Sequence, residues 1–156
     1  MSQASPQSPA MPVYSEKLWP NVWVWLIIIG LSAAGILILA PISMLAGYLA
    51  AVGLFILQAT LLLTSTPRIT VTADSLQVGR AHIERRFIGD VECYSGEDAT
   101  AQRGPKLNGL AYLCIRGWVN PVVKIEITDP SDRTPYWLAS SRRPEKLKAA
   151  LATPQA

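Results

Sequence analysis

Between Lys17 and Arg68 lie fifty consecutive residues without one charged side chain. No other feature constrains this chain so strongly. A bilayer core is about 30 Å thick, and a helix that spans it needs about 20 apolar residues. Fifty residues are too many for one span and suit two. Pro41 marks the break, because it has no N–H to donate and its ring clashes with the preceding helical turn. The expected helices are 22–40 and 45–63, joined by the short turn Pro41-Ile42-Ser43-Met44. Two tightly linked helices satisfy their backbone groups internally, as lipid requires. Leu39-Ala40 before Pro41 resembles a leader cleavage site. The apolar run, however, is longer than a leader's 7–15 residues, and Glu16 cancels Lys17 in front of it.

Basic residues set the orientation of such a hairpin. The turn at residues 41–44 has none, whereas Arg68, Arg80, Arg85 and Arg86 follow the second span. Both termini are therefore expected in the cytoplasm. Trp19, Trp23 and Trp25 fit an interfacial belt that anchors the start of the first helix. In a hairpin turning near residue 42, Gly30 lies level with Gly53 and Ala34 with Ala50. Small residues at equal depth let membrane helices approach closely. The alternative use of the same residues is a dimer face at Gly30-x-x-x-Ala34. The spans contain no Asp, Glu, Lys, Arg or His, so they hold no parts for a proton relay or an ion path.

The charged residues, 16% of the whole chain, lie outside this stretch. Without it, 25 charges remain on 106 residues, about 24%, the value of an ordinary soluble domain. A net charge of +3 excludes a strongly basic nucleic-acid binder, and two cysteines exclude a disulfide-built scaffold. Residues 1–13, rich in Ser, Pro and Gln, read as a flexible arm. Residues 14–66 read as the transmembrane hairpin, 67–152 as a cytoplasmic β-rich domain and 153–156 as a tail.

Within 67–152 the hydrophobic pattern has period two. Ile69 and Val71 alternate, then Leu76 and Val78, and Gly79-Arg80 closes a hairpin into Ala81-His82-Ile83. Runs 87–94, 110–115, 121–128 and 135–140 add further strands, with Asp129-Pro130-Ser131-Asp132 as a turn. Residues 95–108 read as a loop with one helical turn. Pro144-Glu145 starts a closing helix whose stripe is Leu147, Ala150 and Leu151, and Pro154 ends it. The expectation is a membrane α-helical hairpin plus a small α+β domain. That domain has about seven antiparallel strands capped by a C-terminal helix, the order of a pleckstrin-homology-like fold.

Several blocks taken together resemble a known family. They are Tyr14-Ser15-Glu16-Lys17-Leu18-Trp19, Leu76-Gln77-Val78-Gly79, Phe87-Ile88-Gly89-Asp90-Val91, Thr128-Asp129-Pro130-Ser131-Asp132-Arg133-Thr134-Pro135-Tyr136-Trp137, and Ser140-Ser141-Arg142-Arg143-Pro144-Glu145-Lys146-Leu147. The sequence resembles the actinobacterial membrane proteins catalogued as domain-of-unknown-function family 3093. Arg116-Gly117-Trp118-Val119 departs from the Arg-Pro-Trp expected of that family. The resemblance implies a small integral protein of the plasma membrane and assigns no activity.

The residues that carry chemistry are sparse. His82 is the single histidine and has no second imidazole for a metal site. Cys93 and Cys114 show no C-x-x-C spacing and read as small buried hydrophobes, reduced in the cytoplasm. The glycines form no nucleotide-binding loop. What remains is positive charge: Arg85 and Arg86 near the first hairpins, and Arg142, Arg143, Lys146 and Lys148 around the last helix, which suit anionic lipid headgroups. The function expected is a non-catalytic membrane module with no cofactor and no nucleic acid. Its expected partners are the bilayer, anionic headgroups and another membrane protein or a second copy. The alternatives are an accessory subunit of an envelope or transport complex, and an enzyme.

Overall fold

The computed structural model describes residues 11–152. The arm up to residue 10, Pro154 and the tail 153–156 lie outside the described residues. The chain divides into two compact units. One is residues 19–66, and the other combines the chain up to Leu18 with the chain from Pro67 onward.

The first unit is a helical pair, α1 (Val22–Leu39) and α2 (Met44–Thr64). Asn21 and Ser43 cap the two N-termini, their side-chain oxygens accepting from the backbone N–H of Val24 and Ala46. Both helices are long and apolar enough to cross a membrane. At 1.5 Å per residue they rise roughly 27 and 32 Å, matching a bilayer core. Two hydroxyls within them are satisfied locally: Ser32 donates to the Ile28 carbonyl at 2.7 Å and Thr64 to the Thr60 carbonyl at 2.8 Å. Only Ile28, Ser32 and Gly35 of α1 and Gly47 of α2 are buried. Leu26, Ile27, Leu31, Leu49 and Leu61 are among the many side chains left exposed. Two helices that expose this much hydrocarbon need lipid around them. The chain is a membrane-associated protein.

The helices meet through glycine, with Ala50 at the contact as expected but with Gly35 and Gly47 in place of Gly30 and Gly53. A Cβ on Gly35 would touch Leu54, Ala51 and Ala50, and a Cβ on Gly47 would lie 3.3 Å from the Ile36 backbone. Gly30 and Gly53 are exposed with open space where a Cβ would stand, and Ala34 is half-buried. The depth inferred from the turn at residue 42 matches these contacts. The rotation about each axis does not, because helices apolar on every side carry no pattern that marks the inner face.

The second unit is β-rich. Its first sheet is an antiparallel meander in the order β1 (Tyr14–Lys17), β2 (Arg68–Val71), β3 (Ser75–Val78), β4 (Ala81–Glu84). Ile69, Val71, Leu76, Val78 and Ile83 alternate into the core, as period two dictates. The second sheet contains β5 (Ile88–Tyr94), β6 (Tyr112–Cys114), β7 (Val122–Ile127) and β8 (Tyr136–Ser140), in the spatial order β5-β7-β8-β6. Val123, Ile125, Ile127, Trp137 and Ala139 join the same core, and Leu147 and Ala150 of α4 (Pro144–Ala152) close it. Strand β8 is buried at every position. Its other face, Tyr136 and Leu138, packs with Val122 and with Ala99 of α3 (Gly96–Arg103).

Three expectations change. Tyr14–Lys17 belongs to the sheet and not to the membrane hairpin, and even Val13, assigned to the flexible arm, donates its amide to the Val71 carbonyl at 2.8 Å. The seven strands expected within 67–152 are present, but β1 adds an eighth from outside that stretch, and β6 runs parallel to β8, so the domain is not wholly antiparallel. Residues 96–103 form two full turns of helix where one turn in a loop was expected.

Candidate functional site

The site grows from the way β1 is held. Its Glu16 carboxylate accepts three hydrogen bonds: Tyr14 Oη at 2.8 Å and Ser141 Oγ at 2.6 Å on Oε2, and the Arg142 N–H at 2.8 Å on Oε1. Ser141 is fully buried, and its Oγ also accepts from the Arg143 N–H. Two residues later, the Leu18 carbonyl accepts from Trp118 Nε1 at 3.3 Å, and the Leu18 N–H donates to the Pro67 carbonyl. Leu18 itself is fully buried. The loop carrying Trp118 is tied in turn to the end of β8, where Ser140 Oγ accepts from the Arg116 N–H at 3.0 Å.

These bonds gather segments far apart in sequence at one end of the β domain, the end bearing Leu18 and Pro67. Lys17 and Arg68 are register partners there. The Gly79 N–H donates to the Arg68 carbonyl, which brings the turn Gly79-Arg80 to the same end. Gly79 has φ +61°, and a Cβ there would lie 3.4 Å from Cys114 Sγ, so glycine suits both the turn and the packing. The segments that meet at this end carry six cations, Lys17, Arg68, Arg80, Arg116, Arg142 and Arg143, which form its rim. Beyond Asn120, whose side chain accepts from the Gly96 N–H, α3 opens with Glu97 and Asp98 and ends with Arg103.

The opposite end carries the turns 72–75, 84–87 and 128–134. Thr128 N–H donates to the Phe87 carbonyl at 2.8 Å, joining two of them. Asp129 and Asp132 each accept from a backbone N–H two residues on, at 2.8 and 2.9 Å, so this block is a pair of Asx turns. The hydrogen bonds from Ser131 hold the Asp129 carboxyl below its usual range. A Cβ on Gly89 would stand 2.5 Å from Glu126 Oε2, so a larger residue there would have to displace the Glu126 side chain. At this end Asp74, Glu84, Asp129 and Asp132 outnumber Arg85, Arg86 and Arg133.

The two groups of basic residues singled out in the sequence stand at different places on the domain. Arg142 and Arg143 stand on the Leu18/Pro67 rim. Arg85 lies at the opposite end, where its guanidinium donates to the Ala150 and Leu151 carbonyls at 3.0 and 2.7 Å and closes the C-terminus of α4. Arg86 pairs with Glu84 at 2.7 Å and lies over the Phe87 ring. Lys146 and Lys148 are exposed on α4 between the two ends, and Lys148 borders a shallow groove of about 310 Å³ with Arg85 and Asp90. Trp19 and Trp23 are exposed and Trp25 is half-buried. The sequence reading used Lys17, Arg68 and Arg80 only for the spans and their orientation and passed over Arg116, because the four lie in separate segments. The signal that betrays them is that each sits just beside a strand end or a span end.

His82 is exposed on β4, next to the inward Ile83, while Cys114 is buried in the core. Burial pushes the Cys114 thiol up, and burial followed by Glu145 does the same for Cys93. A protonated thiol facing away from the only imidazole is poorly placed as a nucleophile. Among the described residues no group of three His, Cys, Asp or Glu side chains is placed to hold a metal ion. Tyr136 and Trp137 are both buried, and Trp137 packs against Tyr112 with ring centroids 5.3 Å apart.

The blocks that carry the resemblance thus converge in space, at the two ends of one domain. Residues 13–151 match the family model described as Protein of unknown function (DUF3093). The chain belongs to the DUF3093 family. No curated protein and no solved structure matches it. In this DUF3093 chain the Glu16 network also marks a titration. Burial, then the hydrogen bond to Glu16, pushes the Tyr14 hydroxyl up from 10.0 to about 12. The folded form favours the neutral phenol, so this stabilisation is complete below pH 10.0 and disappears as pH rises to about 12. In Tyr14→Phe the fall of Tm across that window should be shallower than in the wild type, as scanning calorimetry in detergent can measure. Tyr94, raised to about 12 chiefly by burial, supplies a share of the fall that remains.

Proposed function

We propose that the chain is a two-pass integral membrane protein of the plasma membrane. It presents a pleckstrin-homology-like interaction module at the cytoplasmic face and catalyses no reaction. The observation that carries this reading is the insertion of α1 and α2 between β1 and β2, whose ends Lys17 and Arg68 are register partners. A connection that leaves one sheet and re-enters it at the adjacent position crosses a bilayer an even number of times. The same pairing argues against a cleaved leader, because cleavage after Ala40 would remove β1 from its sheet and buried Leu18 from the domain. Lys17, Arg68 and Arg80 flank the spans while the turn at 40–43 has no base, so the termini belong in the cytoplasm. Support for the pleckstrin-homology-like reading comes from two sheets sharing one core with a C-terminal helix against it. Support for a non-catalytic role comes from the outward His82 and the protonated, inward Cys114.

Reporters inserted at Pro41 and after residue 156 test the topology. The expected result is an external signal at Pro41 and a cytoplasmic signal at the C-terminus. A cytoplasmic signal at Pro41 would overturn the reading. A second reading, an accessory subunit of an envelope or transport complex, draws support from Gly30 and Gly53. These lie outside the α1–α2 contact and leave room for another helix.

A further inference from the structure

We propose that the Leu18/Pro67 end of the β domain is a binding rim for anionic phospholipid headgroups of the leaflet into which α1 and α2 insert. This inference rests on the two-pass reading above and goes beyond it by naming the ligand and the residues. Its first support is convergence. Lys17, Arg68, Arg80, Arg116, Arg142 and Arg143 come from five separate segments, and the hydrogen bond joining Arg142 to Glu16 spans 126 positions of the chain. Neither a linear charge run nor a single helix face produces this grouping.

The second support is reach. Four residues, 18–21, separate Lys17 from α1, and three residues, 65–67, separate Arg68 from α2. At about 3.5 Å per extended residue, neither cation is more than roughly 18 Å of chain from a span end. An arginine or lysine side chain covers part of that distance, and the Debye length at 0.1 M salt is about 10 Å. Chain length alone therefore tethers Lys17 and Arg68 near the span ends. The third support is asymmetry. Basic residues dominate this end, whereas carboxylates outnumber bases in the turns at the other end. A domain polarised in this way gains by presenting its cationic end to an anionic surface.

The Glu16 carboxylate, bound within the rim, supports the assignment. Glu16 accepts from Tyr14, Ser141 and the Arg142 N–H, so its charge is spent on fixing the loop that displays Arg142 and Arg143. Guanidinium groups held on a rigid loop suit phosphate oxygens, which they bind in pairs of parallel hydrogen bonds.

The test uses the full chain in vesicles of equimolar phosphatidylglycerol and phosphatidylcholine, with the retained lipid counted by native mass spectrometry. The wild type should keep phosphatidylglycerol over phosphatidylcholine by about fivefold, and the preference should shrink as salt rises. The variant K17Q/R68Q/R80Q/R143Q should fall to parity. The variant R86Q/K146Q/K148Q, which removes cations away from the rim, should keep the preference. A wild type without preference, a rim variant that keeps it, or equal loss in both variants would overturn the proposal. Equal loss would mean net charge alone, and a wild type indifferent to lipid would leave the rim to an acidic protein surface. If the rim variant does not fold, R68Q/R80Q, which alters only exposed side chains, should lose about half the preference, and no loss overturns the proposal. Topology reporters on the same sample separate the two readings. Unchanged reporters with no lipid preference sink the rim alone, and a cytoplasmic Pro41 sinks the two-pass reading itself.

Discussion

Glu16→Ala should destabilise the β domain by about 3 kcal/mol, the largest loss expected from a single polar side chain in it. The carboxylate accepts from two hydroxyls and one backbone amide at 2.6–2.8 Å. Hydrogen bonds to a charged group contribute about 1.5–3 kcal/mol, and a buried donor left without its acceptor costs about 1–3 kcal/mol. Alanine removes all three bonds and leaves the hydroxyl of fully buried Ser141 facing a void. Glu16→Gln keeps the oxygen but turns an amide N–H₂ towards a donor, so its cost should be about half as large. The exposed pair Arg86–Glu84 provides the comparison: its side chains are 65% and 56% exposed, and Arg86→Ala should cost less than about 0.5 kcal/mol.

The consequence of losing Glu16 is local. β1 is an edge strand of four residues, and its partners are β2 along one side and the Glu16 contacts at its end. Hydrogen exchange read by mass spectrometry should show faster exchange in β1 and β2, while β7 and β8 keep their protection. If Glu16→Ala leaves exchange in β1 unchanged and lowers Tm by no more than Arg86→Ala does, the network is not what holds the strand.

That network explains what the sequence hides. The membrane helices are legible because length and absence of charge are local properties, read residue by residue. β3, β4 and the inward positions of β2 are legible for the same reason, since Leu76, Val78 and Ile83 sit two apart in short runs beside a turn. β1 is not. Tyr14–Lys17 is short, follows a Pro-rich stretch, and takes its partner from across the fifty-residue hairpin. Period two marks that a segment is extended, but it does not say which strand lies beside it or in which direction. The parallel pairing of Tyr112 with Trp137 is hidden in the same way.

The candidate site has the same history. Charges close in sequence suggested two basic clusters, one at Arg85 and Arg86 and one at Arg142, Arg143, Lys146 and Lys148. The chain reverses between them, and α4 runs from the Arg143 end to the Arg85 end, so Arg142 and Arg143 stand at the pole opposite Arg85 and Arg86. Lys17, Arg68, Arg80 and Arg116 become a group only through the registers and loop hydrogen bonds that bring four strand ends together. The family blocks were the best available guide to this end. Of these blocks, Tyr14–Trp19 and Ser140–Arg143 meet there through Glu16, and Trp118, in the segment that departs from the family pattern, joins them at the Leu18 carbonyl.

Gly47→Leu should separate α1 from α2, with a cost of about 3 kcal/mol at the upper end for overpacking. A Cβ at this position would lie 3.3 Å from both Cα and the carbonyl oxygen of Ile36 and 3.6 Å from the Ala40 nitrogen. These are backbone atoms of the facing helix, so no side chain can rotate away to make room. Leucine adds three more carbons beyond that point, and the helices must move apart along their shared length. Gly35→Leu should cost less, because the nearest atom there is the Leu54 methyl at 3.1 Å, the end of a flexible side chain. Gly30→Leu and Gly53→Leu should change almost nothing, since open space surrounds both positions. In lipid no hydrophobic force presses the helices together, so close packing carries the association and its loss is felt in full. Titration with a denaturing detergent, followed by tryptophan fluorescence from Trp23 and Trp25 at the start of α1, ranks the four variants. The expected order of damage is Gly47, then Gly35, then the other two together. An equal effect at Gly30 and Gly47 would return the contact to the face that small residues at matching depth suggest. A uniform absence of effect would mean that the bilayer alone, and not the glycine contact, keeps the two helices side by side.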